Sequence, residues 1–425
     1  MRSRVRTACA DAGPVSTHVK EGFMDRRTVL KSFALAALMA GSQMGTASAA
    51  DTIKIGEINS YTSLPAFTLP YRSGWQLALD EINAAGGING KKLEVISRDD
   101  GGKPGDAVTA ANELVSRENV SVLFGTFFSH IGLAVSDFAN QRKIVFVAAE
   151  PLTDALTMEK GNRYTFRLRP GTYMQAAMLV DQAAKLPAKT WATVAPNYEY
   201  GQVAVKVFKE LMSAKRPDIK WVDEQWPAMG KIDGGATVQA LARAEPEAIF
   251  NVTFGADLTK FIREGNTRGL FKNRSVVSLL TGEPEYLDPL GDETPSGWIV
   301  SGYPWEQIKT PEHEAFLKAY KAKFNDYPRL GSVVGYNTMK AVAEMIRKAG
   351  SVDTDKLIAA GEGLKIDSPL GPITFRAEDH QSTMGGYIGK TAMKDGKGMM
   401  VDWHYANGAD YLPALAEVAK ARPKN

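Results

Sequence analysis

The sequence predicts an α/β protein made of two doubly wound lobes, each built on a parallel sheet. Two apolar runs of strand length, Ser121–Phe124 and Ile144–Ala148, flank a segment of helical character that begins at Ser129. This alternation of strand and helix extends over residues 51–150, and it restarts over residues 164–283. Because alternating strands and helices form parallel sheets with right-handed crossovers, two such blocks predict two lobes.

The first 50 residues have the pattern of a leader that is removed on export. A basic segment with Arg26 and Arg27 side by side precedes an apolar stretch, and Ala47-Ser-Ala49 is typical of a cleavage site. The apolar stretch is too short for a membrane span. We therefore expect a signal peptide, and the arginine pair favours the twin-arginine route.

The charge of the chain bears on its partners once the leader is set aside. The whole chain has 51 Lys and Arg against 48 Asp and Glu; the leader holds seven and three, which leaves 44 and 45, a net charge of −1. Such a balance gives no electrostatic footprint for nucleic acid, and we expect no such partner. The one cysteine, Cys9, lies in the leader, so the mature chain has no disulfide and no thiolate ligand or nucleophile.

The elements of the first block follow from periodicity and turn residues. Tyr71–Ala85 has helical spacing and is followed by Gly86-Gly87, which can end a helix in the left-handed conformation. A loop that contains Phe67 is expected before this helix, and Pro104 has the position of a first-turn proline. Strands are expected at 53–58, 93–96, 121–124 and 144–148, and helices at 71–85, 107–116 and from 129.

The second block repeats the order of elements, and a further segment follows it. Strands are expected at 191–195, 221–226, 248–252, 276–280 and 298–300, with helices at 173–184, 203–212, 235–244 and 257–266. Two amphipathic helices then cover 311–324 and 333–349, and short strands at 387–388 and 400–404 flank a turn at 394–398.

The long continuation after the second block predicts that the chain returns to the first lobe and crosses again. We expect three linkers, near residues 169, 303 and 378. This gives a leader at 1–50, a first lobe from 51–169 and 304–378, and a second lobe from 170–303 and 379–425. Three linkers between two lobes permit closure about a hinge.

Motifs for catalysis, metals and cofactors are not found in the sequence. The four histidines after the leader are scattered and lack metal-ligand spacing: His130, His313, His380 and His404. There is no Gly-x-Ser-x-Gly elbow, and the first strand is not followed by Gly-x-Gly-x-x-Gly. We expect no cofactor, no metal and no enzymatic activity.

Segments distributed over residues 51–415 carry a resemblance to a known family. They include Glu81-Ile-Asn-Ala-Ala-Gly-Gly-Ile-Asn-Gly90, Phe124-Gly-Thr-Phe-Phe-Ser129, Asn197-Tyr-Glu-Tyr-Gly201 and Thr281-Gly-Glu283. The chain resembles the branched-chain amino-acid (leucine/isoleucine/valine) binding family of periplasmic solute-binding proteins of ABC transporters. The resemblance implies the type I periplasmic binding protein or Venus-flytrap fold, with two lobes joined by three hinge strands. It also implies a periplasmic monomer that delivers a branched-chain or other apolar amino acid to an ABC permease in the inner membrane.

The resemblance implies where the polar ends of such a ligand bind. Ser129 matches the serine that receives the ligand carboxylate, together with N–H groups of its loop. Thr153 lies in a loop that supplies further contacts, and Glu283 matches the acid that pairs with the ligand ammonium. Ser129 as an ordinary helix cap and Glu283 as a solvated loop acid are the alternatives.

Aromatic residues are implied to line the cleft. Phe67 matches a ring that covers the ligand, while Tyr200 and Phe254 match residues of the second lobe. Phe128 and Tyr198 add rings that suit a flat or aromatic ligand. Each of these rings has a structural alternative, as a core or turn residue.

The loop at Glu150 departs from the family pattern, and the role of His130 remains open. The second loop begins Glu150-Pro151, which adds a negative charge and removes an N–H from the expected carboxylate cradle. His130 can contact the ligand or serve only in local hydrogen bonding. Binding of aromatic carboxylates or small amides, a ligand-sensing role on the same fold, and an envelope enzyme remain the alternatives for function.

Overall fold

The computed structural model describes residues 52–424 and, apart from these, Ser16. The expected signal peptide, within residues 1–50, therefore lies outside the described residues except for that one position. Within 52–424, no helix has both the length and the apolar character needed to cross a bilayer.

The first lobe is centred on a five-stranded parallel sheet. Its strands are β1 (Ile53–Asn59), β2 (Leu93–Asp99), β3 (Val122–Gly125), β4 (Val145–Ala148) and β5 (Thr165–Arg167), and its first helices are α1 (Pro65–Ala84), α2 (Pro104–Ser116) and α3 (Ser129–Arg142). The order across the sheet is β2-β1-β3-β4-β5. All residues of β3 and β4 are buried, as expected for parallel strands that are covered on both faces.

The second lobe begins with a similar series of elements. These are the strands β6 (Thr190–Val194), β7 (Lys220–Gln225), β8 (Ala248–Asn251), β9 (Ser275–Gly282) and β10 (Ile299–Gly302), and the helices α4 (Thr172–Ala183), α5 (Glu199–Lys215), α6 (Gly234–Ala244), α7 (Gly255–Arg268) and α8 (Pro284–Leu290). The chain then returns to the first lobe, where a long helix packs along α1. The returning elements are α9 (Pro311–Phe324), α10 (Leu330–Ala349), α11 (Thr354–Gly361), β11 (Lys365–Ile366) and β12 (Ile373–Thr374).

A hairpin completes the second sheet. It consists of β13 (Gly386–Lys394) and β14 (Lys397–Ala406), and the helix α12 (Leu415–Ala421) follows it. The sheet has seven strands in the order β14-β13-β10-β9-β8-β6-β7, and β13 is antiparallel to both of its neighbours. The two-lobe fold with three connecting segments is thus confirmed.

The first and third connections run side by side. Arg167 N–H donates to the His380 carbonyl at 3.0 Å, and Ser382 N–H donates to the Arg167 carbonyl at 3.0 Å. The Gln381 amide nitrogen donates to the Arg169 carbonyl at 3.0 Å. These bonds tie the two segments into one ribbon, although the residue numbers of the lobe boundaries remain a prediction.

The end of the chain contacts the first lobe. The Arg422 guanidinium, just after α12, donates to the carbonyls of Thr157 at 3.0 Å and Asn162 at 2.8 Å. Before it, the Tyr411 hydroxyl donates to Asp181 of α4 at 2.9 Å. The segment after β14 therefore contacts both lobes.

One element differs from its expected bounds in a way that moves a candidate residue. Helix α1 begins at Pro65 and not at Tyr71, so Phe67 lies in its first turns and not in a loop. Pro65 suits the first position of a helix, where no N–H is needed. Pro70 interrupts the helical pattern of the sequence, but Phe67, Thr68, Pro70 and Tyr71 are buried, and this packing maintains the helix.

Glycine permits the close approach of α1 and α10. A Cβ added at Gly335 would lie 2.0 Å from the Tyr71 carbonyl oxygen, and one at Gly74 would lie 1.9 Å from the Ser332 carbonyl oxygen. Such contacts between backbones leave no room for any side chain. The helix pair therefore depends on glycine at both positions.

We expect Gly335→Ala to destabilise the protein by about 1–3 kcal/mol, because α10 must move away from α1 to admit a methyl group. The free energy of unfolding in urea measures this change. Gly105→Ala is the control: a Cβ there meets no atom within 4 Å, and alanine in a helix is favoured over glycine by about 0.5–1 kcal/mol. Equal effects of the two substitutions would contradict the proposed role of the glycine contact.

Candidate functional site

The candidate site lies where loops at the carboxyl ends of strands from both lobes meet. The first lobe contributes the β3–α3 loop with Ser129 and the loop after β4 with Glu150. The second lobe contributes the starts of α5, α7 and α8, which hold Tyr200, Phe254 and Glu283. Parallel sheets bind ligands at this edge because the strand-to-helix turns open there.

Ser129 ties together the two loops of the first lobe. Phe128 is the N-cap residue of α3 and Ser129 its first helical residue. The Ser129 hydroxyl oxygen accepts hydrogen bonds from the Leu152 and Thr153 N–H groups, both at 3.2 Å. Its own proton remains available to an acceptor in the cleft. Ser129 thus joins the Thr153 loop to α3, which differs from the alternative of an ordinary helix cap.

Thr153 connects the lobes directly. Its hydroxyl donates to a carboxylate oxygen of Glu199, in the first turn of α5, at 2.6 Å. The same hydroxyl oxygen accepts from the Ala155 N–H at 3.3 Å. Opening of the cleft would break the bond to Glu199, because the two residues belong to different lobes.

Aromatic rings from both lobes meet in the cleft. Phe127 and Phe67 of the first lobe have centroids 4.9 Å apart, and Phe128 lies 5.1 Å from Phe127. The Phe128 ring lies 6.4 Å from both Tyr198 and Phe254 of the second lobe. Ring pairs at these separations attract one another, so the cluster favours the closed arrangement.

Two further candidates extend this cluster. The Tyr200 ring is 6.0 Å from Phe254. The His130 ring is 5.5 Å from Tyr198 and 5.8 Å from Phe128, at the partly exposed edge of the cluster. Burial lowers the pKa of His130, which favours its neutral form.

The guanidinium of Arg169 lies between two glutamates of opposite lobes. Nη1 donates to Glu150 Oε2 at 2.8 Å, and Nη2 donates to Glu283 Oε1 at 2.8 Å. The three residues are 4%, 2% and 1% exposed, respectively. Arg169 belongs to the first connecting segment, so this ion-pair network joins the first lobe, the hinge and the second lobe.

Two carboxylates share the single guanidinium of Arg169, and their burial disfavours the charged form of each. Burial raises the pKa of Glu150 to about 7, against the opposing effect of Arg169. It also raises the pKa of Glu283 well above its usual value, again against Arg169. The cause is the loss of hydration, which disfavours the charged form of a carboxyl group.

Several buried oxygens beside this network have no hydrogen-bond partner among the described residues. They are Glu150 Oε1, Glu283 Oε2 and the hydroxyls of Tyr200 and Tyr286. Burial and then the charge of Glu283 raise the pKa of both tyrosines, so both hydroxyls are within electrostatic reach of Glu283. Buried polar atoms normally have partners. Four such atoms in one region can receive a ligand with hydrogen-bond donors.

A second acid of α8 holds the lobes together outside this network. Glu285 accepts from the Gly331 N–H at 2.7 Å and from the Leu330 N–H at 3.3 Å, at the start of α10. The first N–H groups of a helix have no partner within the helix, and they attract an anion. Glu285 of the second lobe thus caps a helix of the first, and burial raises its pKa to about 7.

The structure connects all ten residues that the sequence predicts for the site. The Phe67 ring of the aromatic cluster lies 5.7 Å from the Arg169 guanidinium, which binds Glu150 and Glu283. Ser129 accepts from the Thr153 N–H, and Thr153 donates to Glu199, which lies between Tyr198 and Tyr200 in the chain. The predicted residues are Phe67, Phe128, Ser129, His130, Glu150, Thr153, Tyr198, Tyr200, Phe254 and Glu283. Their roles in ligand binding remain predictions.

Other residues of the region are not among those that the sequence predicts. They include Arg169, Tyr286 and Glu285, which are all polar. Arg169 alone has a sequence signal: it is a charged residue at the end of the extended segment 164–169, directly before Pro170. Among residues 52–424, no group of three or more His, Cys, Asp or Glu side chains is arranged to hold a metal ion.

Comparison with known proteins finds a matching family and related sequences that cover most of the chain. The sequence pattern of a family described as periplasmic binding protein matches residues 52–397. Leu/Ile/Val-binding protein homolog 7 of Brucella suis is 27% identical over 356 residues, which cover 80% of this chain and 87% of that protein. The Leu-, Ile-, Val-, Thr- and Ala-binding protein of Pseudomonas aeruginosa is 26% identical over 330 residues, 77% of this chain and 86% of that one.

Among solved structures, the chain is similar to a solute-binding protein of an ABC transporter from Rhodopseudomonas palustris BisB5, in complex with 3,4-dihydroxybenzoic acid. That structure has a TM-score of 0.75 and 27% identity, and the match covers 84% of this chain and 98% of the other. A branched-chain amino-acid ABC transporter protein from Rhodopseudomonas palustris CGA009 has a TM-score of 0.71 and 25% identity, with coverage of 88% and 100%.

The burial of Glu285 predicts a pH dependence of stability, because it raises the pKa against the opposing effect of the Gly331 and Leu330 N–H groups. The pKa of Glu285 rises from 4.5 to about 7 on folding, so the folded protein retains a proton that the unfolded chain loses. Its contribution to stability is therefore present below about pH 4.5 and is lost as the pH rises through about 7. Glu150 and Glu57, whose pKa values burial raises to about 7 and about 8, act in the same direction.

We expect the unfolding free energy of the wild type, measured in urea from about pH 5 to about pH 8, to fall with pH. Glu285→Gln should reduce the slope by up to one proton, which corresponds to about 1.4 kcal/mol per pH unit. Identical slopes for the two proteins would contradict the assignment of this effect to Glu285.

Proposed function

The chain belongs to the periplasmic binding protein family of ABC-transporter solute receptors, and from this premise we propose that it captures a small amino acid between its lobes. The ligand class is a branched-chain or other apolar amino acid. One observation carries the proposal: Glu150 and Glu283, from opposite lobes, each keep one unpartnered, buried carboxylate oxygen, and the Arg169 guanidinium that binds both lies 5.7 Å from the centroid of the Phe67 ring. A ligand ammonium supplies the donors that these oxygens lack.

The other groups of an amino acid also find suitable surroundings. The ligand carboxylate would accept from the Ser129 hydroxyl and from the first N–H groups of α3, where the helix dipole favours an anion. The apolar side chain would lie against Phe67, Phe128 and Phe254. Thr153, Tyr198, Tyr200 and His130 complete the proposed site.

Ligand binding would stabilise the closed state because the ligand contacts both lobes at once. Only a difference in affinity between the open and the closed form can shift their equilibrium. The proposed ligand meets this condition, since its ammonium contacts Glu283 of the second lobe while its carboxylate contacts Ser129 of the first. The closed receptor would then deliver the ligand to an ABC permease, as a periplasmic monomer exported by its signal peptide.

Hydroxylated aromatic carboxylates form the second candidate ligand class. The ring cluster favours them, and so does the 27% identical solved relative that is in complex with 3,4-dihydroxybenzoic acid. A ring hydroxyl would donate to Glu283 in place of the ammonium. Such ligands carry fewer hydrogen-bond donors for the unpartnered oxygens than the three of an ammonium, so we rank them second.

Isothermal titration of the natively purified protein tests the proposal. The panel contains branched-chain and aromatic amino acids, small amides and hydroxylated benzoates. We expect binding of at least one apolar amino acid, with a decrease in the radius of gyration measured by small-angle X-ray scattering as the lobes close. Absence of binding across the whole panel would refute the proposed ligand classes.

The role of Glu283 gives a narrower prediction. Glu283→Gln should weaken binding of an amino acid by about ten- to a hundredfold, since a hydrogen bond to a charged group contributes about 1.5–3 kcal/mol. The exposed Glu210 of α5 is the control, and Glu210→Gln should leave the dissociation constant unchanged. Unchanged affinity in Glu283→Gln would indicate a ligand without an ammonium.

A further inference from the structure

A stack of two rings and two cations lies beside the second connection between the lobes. Trp305 belongs to the segment between β10 and α9, and Tyr327 belongs to the turn between α9 and α10. Their ring centroids are 4.6 Å apart, and their planes differ by 6°. Lys321 Nζ lies 4.8 Å from the Trp305 centroid, and Arg329 Cζ lies 4.6 Å from the Tyr327 centroid. Rings and cations at these distances attract one another, so the stack holds Tyr327 against the connecting segment.

Helix α8 of the second lobe is bonded to this stack. The Tyr327 hydroxyl donates to Asp288 Oδ2 at 2.7 Å, and Arg329 Nε donates to the same oxygen at 3.2 Å. Burial, and then the bond to Asp288, raise the pKa of Tyr327 to about 12, so its hydroxyl remains a donor at neutral pH. One carboxylate of the second lobe is therefore held by a hydroxyl and a guanidinium of the first.

The Asp288 contact is the solvent-facing edge of an interface between the lobes. Asp288 lies three positions after Glu285, so the two side chains project from one face of α8. Glu285 is 6% exposed and caps α10, whereas the side chains of Asp288 and Arg329 are 37% and 22% exposed. None of the residues of the stack, nor Asp288, belongs to the proposed ligand site.

We propose that the bonds of Asp288 to Tyr327 and Arg329 form a latch, which lets the protein adopt the closed arrangement without a ligand. The stacking of Trp305 on Tyr327 holds the latch in position. A contact that is made in only one of two states shifts the equilibrium toward that state. The latch acts in the unliganded protein, and it is therefore independent of the proposed ligand class.

The latch also sets the apparent affinity for every ligand in the same way. When the state that binds tightly is only partly populated, the measured dissociation constant is the intrinsic one divided by the populated fraction. Loss of the latch lowers this fraction, and it therefore raises the dissociation constants of all ligands by a common factor. Loss of a residue that contacts the ligand would instead change the constants of different ligands unequally.

An interlobe distance measured in solution distinguishes open from closed molecules. The chain after residue 50 has no cysteine, so two introduced cysteines carry spin labels at known positions. Asn140→Cys in α3 and Glu210→Cys in α5 are exposed sites, one in each lobe. Double electron–electron resonance on the ligand-free protein then measures the fraction of molecules with the interlobe distance of the closed structure.

We expect Asp288→Ala and Trp305→Ala to increase the ratio of open to closed molecules by roughly three- to tenfold, the effect of a few partly exposed polar and aromatic contacts. Tyr327→Phe should act in the same direction, and it should add little to Asp288→Ala because both changes remove the same hydrogen bond. Asp292→Ala is the control: it removes an exposed acid of the same lobe and should leave the ratio unchanged. Circular dichroism and thermal unfolding verify that the variants are folded.

The outcomes separate the latch from the proposed function. An unchanged ratio in Asp288→Ala or in Trp305→Ala would overturn the latch, and so would an equal shift in Asp292→Ala. A ligand-free wild type that has only the open distance would overturn it as well. None of these measurements uses a ligand, so a wild type that binds nothing in the ligand panel refutes the proposed ligand classes and leaves the latch standing.

Discussion

The contact of Arg169 with one glutamate from each lobe is the interaction on which the closed structure most depends. Burial of three charged groups costs free energy that their mutual attraction offsets only while the geometry is maintained. The hinge segment fixes Arg169, and each lobe brings one carboxylate to it at 2.8 Å. Separation of the lobes would therefore remove one partner and leave a charged group to be hydrated or protonated.

The other contacts between the lobes act together with this network. Glu285 caps α10, Thr153 bonds to Glu199, and the rings of Phe128 and Phe254 face each other. Each contact is formed between elements of different lobes, so all of them depend on the same closing motion. A ligand that bridges the lobes adds to this set, and the open oxygens of the two glutamates give it a specific point of attachment.

How well the sequence predicted each residue of the site depended on the local pattern around that residue. Ser129, Glu150 and Glu283 follow buried strands of regular length, and the resemblance to a known family identified their loops. Arg169 stands at the end of an extended segment, but no local pattern indicates its partners, which lie 19 and 114 positions away in the chain. Phe67 was expected in a loop, since Pro70 interrupts the helical pattern that packing against α10 maintains.

The sequence by itself determined the alternation of strand and helix, the two lobes and the set of loops that meet in the cleft. These features follow from local periodicity, turn residues and the geometry of parallel sheets. Only the tertiary structure decided that Glu150 and Glu283 share one guanidinium and that each retains an unpartnered oxygen. That result depends on how two lobes close about three connecting segments, and side-chain distances of a few ångströms across such a cleft are not encoded in any local pattern.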